Sequence, residues 1–313
     1  LETIRMAKHQ HSLAAHQAEY FRSAVCYQTD MQYWNTVARA ELLQVATDYR
    51  NSIASLAKTI RERVEAGLVD PQDLLMAEVK LNEAEYQLLQ AKSNLETGRM
   101  ALNSLIGMEL NKTTEVEDSI PSIVMNEELW NLDGCNRPEL KMAYDQINIA
   151  KSSKKLTDSK YKPQLYVGIE GSYSSPGYNF KSDLAPNYAV YAKLSVPIFE
   201  WGKRRNEKQA SSFQVGAATD NLHQVSDHVN LEVQTARVSL SQAMEQVQLT
   251  GNSLDKAREN ERMALERYAE GKVSVVEVIE AQNYRQVSQT NYVQAKVSAQ
   301  GHYSALLKAL NRY

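Results

Sequence analysis

The two halves of the chain repeat one pattern, in which a helix, a short turn containing glycine and a second helix follow each other. The stretch ERVEAGLVDPQDLLMAE begins at Glu62, and ERYAEGKVSVVEVIEAQ begins at Glu266. In the same register and without a gap, the sequence QAK at Gln90 recurs at Gln294. Repeat units of solenoids and propellers have ~20 to 50 residues, and this repeat is far longer. The pattern therefore indicates a duplicated half-molecule.

Each turn of the repeat carries signals that end one helix and begin the next. Gly67 and Gly271 stand where a left-handed residue closes a helix. Asp70 can then cap a new helix that has Pro71 at its first position, and Ser274 can form a capping box with the glutamate three residues later. The sequence thus predicts two helix-turn-helix tips, the first tip at residues 62–78 and the second tip at residues 266–282.

The segments beside the tips are predicted to be long helices. No proline follows Ile198, and helices are expected over 200–270 and 274–312, with a matching helical arm over 71–106. In this first arm, large and small apolar residues alternate at heptad spacing, which lets neighbouring helices approach closely. This seam comprises Leu74, Ala77, Leu81, Ala84, Leu88, Ala91, Leu95, Gly98, Leu102 and Leu105. The second arm has a smaller and more polar seam with Arg285 and His302. These two residues suggest that the two arms face different surroundings, although a solvated helix flank would also explain them.

Residues 163–199 have the pattern of a β-hairpin. Apolar residues alternate with polar or small ones in both of its strands, at Leu165, Val167 and Ile169 and again at Val190, Ala192, Leu194 and Val196. Each predicted strand has about 9 to 11 residues, the length that a tilted strand needs to cross a bilayer. An isolated hairpin would leave its backbone edges unpaired, so we expect it to pair with strands from elsewhere.

Charge and motifs argue against several classes of function. The formal net charge of −3 argues against a nucleic-acid partner. The sequence contains no Walker loop, no HExxH and no nucleophile elbow, so we expect neither an enzyme nor a cofactor. Cys26 and Cys135 could pair or stay free. His9, His11 and His16 share one amphipathic segment, which we interpret as a polar face rather than a metal site.

The glycine-containing tips, the twofold repeat and the strand-to-helix junction VPIFEWGKRRNE at Val196 together resemble the TolC family of outer-membrane efflux channels. The resemblance implies a mainly α fold with a small β part, built from long antiparallel coiled-coil helices. It further implies a homotrimer in which each protomer donates four strands to one twelve-stranded transmembrane β-barrel. The expected location is the bacterial outer membrane, with the helices extending into the periplasm.

The same resemblance implies a function without catalysis. Members of this family are passive exit ducts of tripartite efflux or type I secretion systems. They dock by their tips on a periplasmic adapter, which links them to an inner-membrane transporter. Drug efflux, metal efflux and protein secretion stay open alternatives. A soluble coiled-coil scaffold is the alternative from another class, but it would have no need of the bilayer-length hairpin.

The resemblance also assigns site residues at the tips. A gate is expected where the family has its polar links and its cation-selective ring, at Asp73, Tyr268, Glu277 and Glu280. Adapter contacts are expected at Gly67, Leu68, Val69, Gly271, Lys272 and Val273. The family can carry a locking arginine where this chain has Val273, and Lys272 is the candidate substitute. Structural roles compete with these assignments, because Glu277 completes the capping box and Asp73 lies in a helix's first turn.

The first repeat is shorter than the second. We divide the chain into a first repeat at residues 1–106, a linker at residues 107–135 and a second repeat at residues 136–313. Compared with the second repeat, the first lacks about 77 residues, the part that would hold a β-hairpin. We therefore expect a segment to be missing near Ser23 to Cys26. Sequencing of the gene tests this, and an uninterrupted reading frame across Ser23 would contradict it.

Overall fold

The computed structural model describes residues 2–124, 130–177, 180 and 182–313. Its elements in chain order are α1 (Glu2–Glu65), α2 (Pro71–Ile106), a short 3-10 helix (Gly134–Asn136), α3 (Pro138–Lys160), β1 (Gln164–Ser174), β2 (Ala185–Ser195), α4 (Lys203–Ala269) and α5 (Val275–Ala309). Among these residues, no helix has the length and apolarity needed to cross a membrane. The fold class predicted from the sequence, mainly α with a small β part, is confirmed.

The chain forms two compact units. The first unit comprises Leu1–Glu19 and Pro138–Asp227, and the second comprises Tyr20–Arg137 and His228–Tyr313. The first unit therefore holds the hairpin with α3, and the second holds both tips with α2 and α5. Helices α1 and α4 contribute residues to both units.

Helix α2 buries its predicted seam in the second unit. Ala77 and Ala84 are fully buried, and Leu95, Gly98 and Leu102 are buried as well. These small and large residues pack against α1, which supplies Leu56, Ala57 and Ile60 to one cluster and Tyr49 and Ile53 to the next. The heptad prediction therefore holds along most of the helix.

The seam prediction is wrong at its last position, because Leu105 is 42% exposed. The helix ends one residue later, at Ile106, and Gly107 closes it in the left-handed conformation with φ +72°. Asn103, which is fully buried, fastens the chain beyond this end by donating hydrogen bonds to the carbonyls of Glu109, Leu110 and Lys112. Leu105 therefore lies in the last turn of α2, beyond the last buried residue of the seam.

The predicted linker packs on the helical core of its unit. Ile120 is buried in a cluster with Val37, Val45 and Val293, and Gln300 donates a hydrogen bond to the Pro121 carbonyl at 3.0 Å. Residues 125–129 of the linker lie outside the described residues. Its described part thus lies against α1 and α5 and is not a free tether.

The hairpin has an antiparallel register that pairs Gln164 with Ser195 and Ser174 with Ala185. In this register, Leu165, Val167 and Ile169 share one face with the paired residues Leu194, Ala192 and Val190, and the large members of this set are exposed. The opposite face carries polar and small residues such as Glu170 and Lys193. Within the described part of the chain, the sheet has two strands. Residues 178, 179 and 181 of the connecting loop are not described.

Helix α1 continues without a break through Ser23 to Cys26, the place where the sequence indicates a missing hairpin. Both cysteines are free, with Cys135 exposed. The absence of a first hairpin stays a prediction for the gene sequence to test.

Substitution of two leucines of α2 tests which positions of the seam are buried. Leu102→Ala, at a site that is 3% exposed, should lower the free energy of unfolding by about 2–5 kcal/mol because it leaves a cavity. Leu105→Ala, a matched control four-fifths of a turn away, should change it by no more than about 0.5 kcal/mol. Thermal unfolding of both variants in detergent measures the difference. Equal losses of stability would show that Leu105 is buried in the working protein.

Candidate functional site at the helical tips

The two tips have the same backbone geometry. Gly67 and Gly271 both adopt φ +72°, where a side chain would be strained. In the first turn, Gly67 N–H donates to Val64 O at 2.9 Å and Leu68 N–H donates to Arg63 O at 2.9 Å. The second turn repeats this arrangement from Gly271 and the residue after it. These paired bonds form a Schellman motif, which satisfies the last carbonyls of each helix.

Helix-starting caps complete the turns as the sequence predicts. The Asp70 side chain accepts a hydrogen bond from the Gln72 N–H at 2.8 Å. Ser274 and Glu277 form the reciprocal capping box. Because each turn is closed on both sides by local hydrogen bonds, the tips are rigid surfaces rather than loose loops.

Tyr268 lies in the apolar cluster that joins the two tips. It is 7% exposed and packs with Leu56, Ile60 and Val278, among others. The Arg63 guanidinium lies over its ring, 4.7 Å from the ring centroid. Among the described residues, the buried tyrosine hydroxyl has no hydrogen-bond partner, so the ring and not the hydroxyl makes the contact.

Arg63 joins the end of α1 to the end of α4. Besides covering the tyrosine ring, its two terminal nitrogens donate to the carbonyls of Tyr268 and Ala269, each at 3.2 Å. A cation at these carbonyls is favoured because the C-terminus of a helix carries partial negative charge. Arg63 is not among the site residues predicted from the sequence. Its counterpart in the repeat, Arg267, is exposed.

The three predicted gate acids lie close to the same cluster but differ in their surroundings. Asp73 is half-buried in the first turn of α2, whereas Glu277 and Glu280 are exposed. Glu277 is engaged in the capping box. Glu280 lies one turn further along α5, where it contributes to the grooves on both sides of that helix. Of the three, Glu280 is the acid that no local cap accounts for.

A layer of polar side chains lies behind the tips. Glu261 of α4 is 5% exposed, and its carboxylate accepts from Arg285 of α5 at 2.6 Å and from Ser52 of α1 at 3.3 Å. Gln282, also buried, donates to the Ser52 hydroxyl at 2.8 Å. Three helices are thus linked by one hydrogen-bonded group. Arg285 pairs with a buried carboxylate, so a solvated flank, one of the two explanations offered from the sequence, does not apply to it.

An apolar groove opens between α2 and α5 beside the tips. Its volume is about 580 Å³, and it is lined by Leu75, Met76, Val79 and Val276 with polar residues at its margin. Lys80 at this margin donates to Glu83 at 2.7 Å, and this hydrogen bond raises the pKa of the lysine. Exposed apolar residues that line one groove in this way can serve as a contact surface.

The predicted adapter residues are divided between surface and core. Leu68 is 74% exposed and stands at the end of the first tip. Val69 is half-buried, although the sequence analysis expected it to be exposed, and Val273 packs against the shared cluster. Lys272 is exposed and pairs with Glu270 of its own turn at 2.7 Å. Each tip therefore offers a small, well-defined surface around its glycine.

Comparison with known proteins places this arrangement among efflux proteins. The family described as outer membrane efflux protein matches residues 132–312, more than half of the chain. The cobalt-zinc-cadmium resistance protein CzcC of Cupriavidus metallidurans is 24% identical over 291 residues, which are 89% of this chain and 66% of CzcC.

Solved structures show the same fold. The CmeC outer membrane channel of Campylobacter jejuni matches with a TM-score of 0.79 and 17% identity, over 99% of this chain and 67% of CmeC. The outer membrane protein VceC of Vibrio cholerae matches with a TM-score of 0.83 and 15% identity, over 99% of this chain and 75% of VceC. The chain spans about two thirds of the length of CzcC and CmeC. It belongs to the outer membrane efflux protein family, whose fold and outer-membrane location it shares.

Proposed function

We propose that the protein is the outer-membrane channel of a tripartite efflux or type I secretion system. It would act as a passive exit duct, without catalysis, and would work as a homotrimer. Its helices would extend into the periplasm, and its tips would meet an adapter that connects them to an inner-membrane transporter. Family membership supports this role, as does the similarity to the resistance protein CzcC and to the outer membrane channel CmeC.

The observation that carries the proposal is the two-faced hairpin. Both strands have 11 residues, and one face bears exposed apolar side chains such as Val167, Ile169 and Val190. Such an apolar face is unfavourable in water, whereas lipid would cover it. The polar opposite face is suited to an aqueous lumen. A soluble scaffold would have no use for this arrangement, and the unpaired strand edges call for neighbouring protomers in a shared barrel.

The tip geometry supports a gate built from the predicted acids. Glu277 and Glu280 are exposed on one helix, so threefold symmetry would multiply them into rings that attract cations. Asp73 stands on the facing helix of the first tip. Tyr268 would act differently, as a buried ring that fixes the distance between the two tips.

Arg63 is proposed to be the lock, in place of Lys272, which the sequence suggested as a substitute for the arginine that Val273 replaces. It holds the ends of α1 and α4 together through two carbonyls and one aromatic ring. Opening the tips would require these contacts to break. Lys272 is bound within its own turn and makes no such connection in the structure.

The adapter is proposed to grip the ends of the tips around Gly67 and Gly271. Leu68 provides the most exposed apolar contact there, and the groove lined by Leu75 and Val79 extends the apolar surface along the tip. The similarity to CzcC makes divalent metal ions one substrate class to test, beside drugs and secreted proteins.

Removing the negative charge of Glu277 and Glu280 tests the proposed gate. In planar bilayers, the protein should give small cation-selective currents, and Glu277→Gln combined with Glu280→Gln should reduce the cation preference several-fold, because the rings lose their charge. Glu96→Gln combined with Glu115→Gln, two exposed acids away from the second tip, is the matched control and should leave selectivity unchanged. Reversal potentials in a salt gradient report the change. A protein that stays soluble without detergent and gives no current would contradict the channel itself.

The lock is tested by the two arginines that the repeat places in equivalent positions. Arg63→Gln should raise single-channel conductance and the open fraction, because it frees the ends of α1 and α4. Arg267→Gln removes the same charge from the exposed equivalent position and should leave gating unchanged. Tyr268→Phe should also leave it unchanged, since the hydroxyl has no partner. Equal effects of the two arginine variants would mean that charge at the tips, and not the contact with Tyr268, controls the gate.

A further inference from the structure

Basic residues gather where the hairpin joins its helices. Residues 151–162 contain five lysines and one aspartate, and residues 200–208 contain four basic and two acidic residues. The whole chain carries a net charge of −3, so this concentration of positive charge is local. Five of these basic side chains lie nearest the strands and are exposed, namely Lys160, Lys162, Lys203, Arg204 and Arg205.

The structure brings these two stretches together at one end of the hairpin. Gln164 pairs with Ser195, so the chain enters β1 and leaves β2 side by side. Further from the strands, Lys154 of α3 donates to Ser212 of α4 at 3.2 Å. The basic side chains of both stretches therefore lie at the same end of the hairpin.

A group of exposed apolar residues separates this cluster from β2. Ile198, Phe199 and Trp201 are 94%, 71% and 89% exposed. The rings of Phe199 and Trp201 meet edge to face, with centroids 4.9 Å apart. Trp201 and Gly202 both have positive φ, and the resulting sharp turn sets the aromatic pair directly beside the first basic residue of α4.

We infer that this surface, the junction collar formed by residues 198–205 with Lys160 and Lys162, binds the phosphate groups of anionic phospholipids at the periplasmic face of the membrane. The inference rests on the proposed function, which puts the hairpin in lipid. Aromatic rings with a polar edge prefer the level of the headgroups, and lysine or arginine beside that level is attracted to anionic lipid. Guanidinium groups match phosphate oxygens in pairs.

The order of residues along the collar favours lipid over a soluble anion. A free phosphate would need only the basic side chains. The neighbouring Ile198, Phe199 and Trp201 would then stay exposed to water, which is unfavourable for apolar side chains. A lipid satisfies both parts, because its acyl region covers the apolar residues while its headgroup meets the cations. The strand ends thus give the protein a fixed depth in the bilayer and a preference for one headgroup charge.

Quenching of Trp201 by brominated lipids tests the collar. The full protein is reconstituted in phosphatidylcholine vesicles that contain a minor fraction of brominated phosphatidylglycerol or, separately, of brominated phosphatidylcholine. The Trp201 signal is the difference between wild type and Trp201→Phe. We expect the apparent enrichment of phosphatidylglycerol around Trp201 to be about fivefold or more. An excess of inorganic phosphate should leave that preference in place.

Three variants separate charge from folding. Lys203→Gln with Arg204→Gln and Arg205→Gln should bring the two lipids to equal quenching. The charge-conserving exchange Lys203→Arg with Arg204→Lys and Arg205→Lys should keep most of the preference. The control removes three exposed basic residues of the second unit, Lys256→Gln with Arg258→Gln and Arg262→Gln, and should keep it fully.

The outcomes are distinct. Equal quenching by both lipids in the wild type would contradict the proposed binding of anionic lipid by the junction collar. It would leave the channel proposal standing, since Trp201 would still be in lipid. Loss of the preference on adding inorganic phosphate would also overturn it, because the site would then take a free anion. No quenching by either lipid would place the hairpin outside the membrane and would contradict the proposed function as well.

Discussion

Close approach of the helices through small side chains is the constraint on which the second unit depends. Ala77, Ala84 and Ala281 are almost fully buried, and a side chain at Gly98 would collide with Arg39. Arg39 uses the space to donate to the Asn94 carbonyl at 2.7 Å. Larger residues along these seams would push the helices apart and separate the contacts that meet at the tips.

The two tips have the same backbone geometry, but their equivalent side chains make different contacts. Both turns close with the same glycine geometry and the same hydrogen bonds. Arg63, however, reaches across to the second tip, while Arg267 stays at the surface. Arg63 thereby links the two tips of the same chain, whereas Arg267 stays accessible. The buried group around Glu261 ties the same helices together further from the turns, so the tips rest on a polar layer as well as an apolar one.

The first unit has the opposite distribution of polarity. Its hairpin exposes apolar residues on one face, and the junction collar exposes both aromatic and basic ones. Such surfaces are unfavourable in water but are matched by the layers of a membrane, from hydrocarbon to headgroups. The two units therefore have surfaces that suit different surroundings.

Much of this protein follows from its sequence because the deciding interactions are local. The left-handed glycines, the Asp70 cap, the Ser274 capping box and the alternation of the hairpin each involve residues a few positions apart, and the structure has all of them. The resemblance of the whole pattern to a family of channels was also visible. The gate and adapter residues stay predictions, although the structure gathers them at the tips.

Only the tertiary structure decided which side chains meet between helices. The contact of Arg63 with Tyr268, the pairing of Glu261 with Arg285 and the bond from Gln282 to Ser52 join residues of different helices. Each depends on how the helices are rotated about their axes and on where they end. The same reason applies to Leu105, which continues the heptad spacing but is exposed in the last turn of α2. Sequence periodicity determines which face of a helix is apolar, but packing alone determines what that face touches.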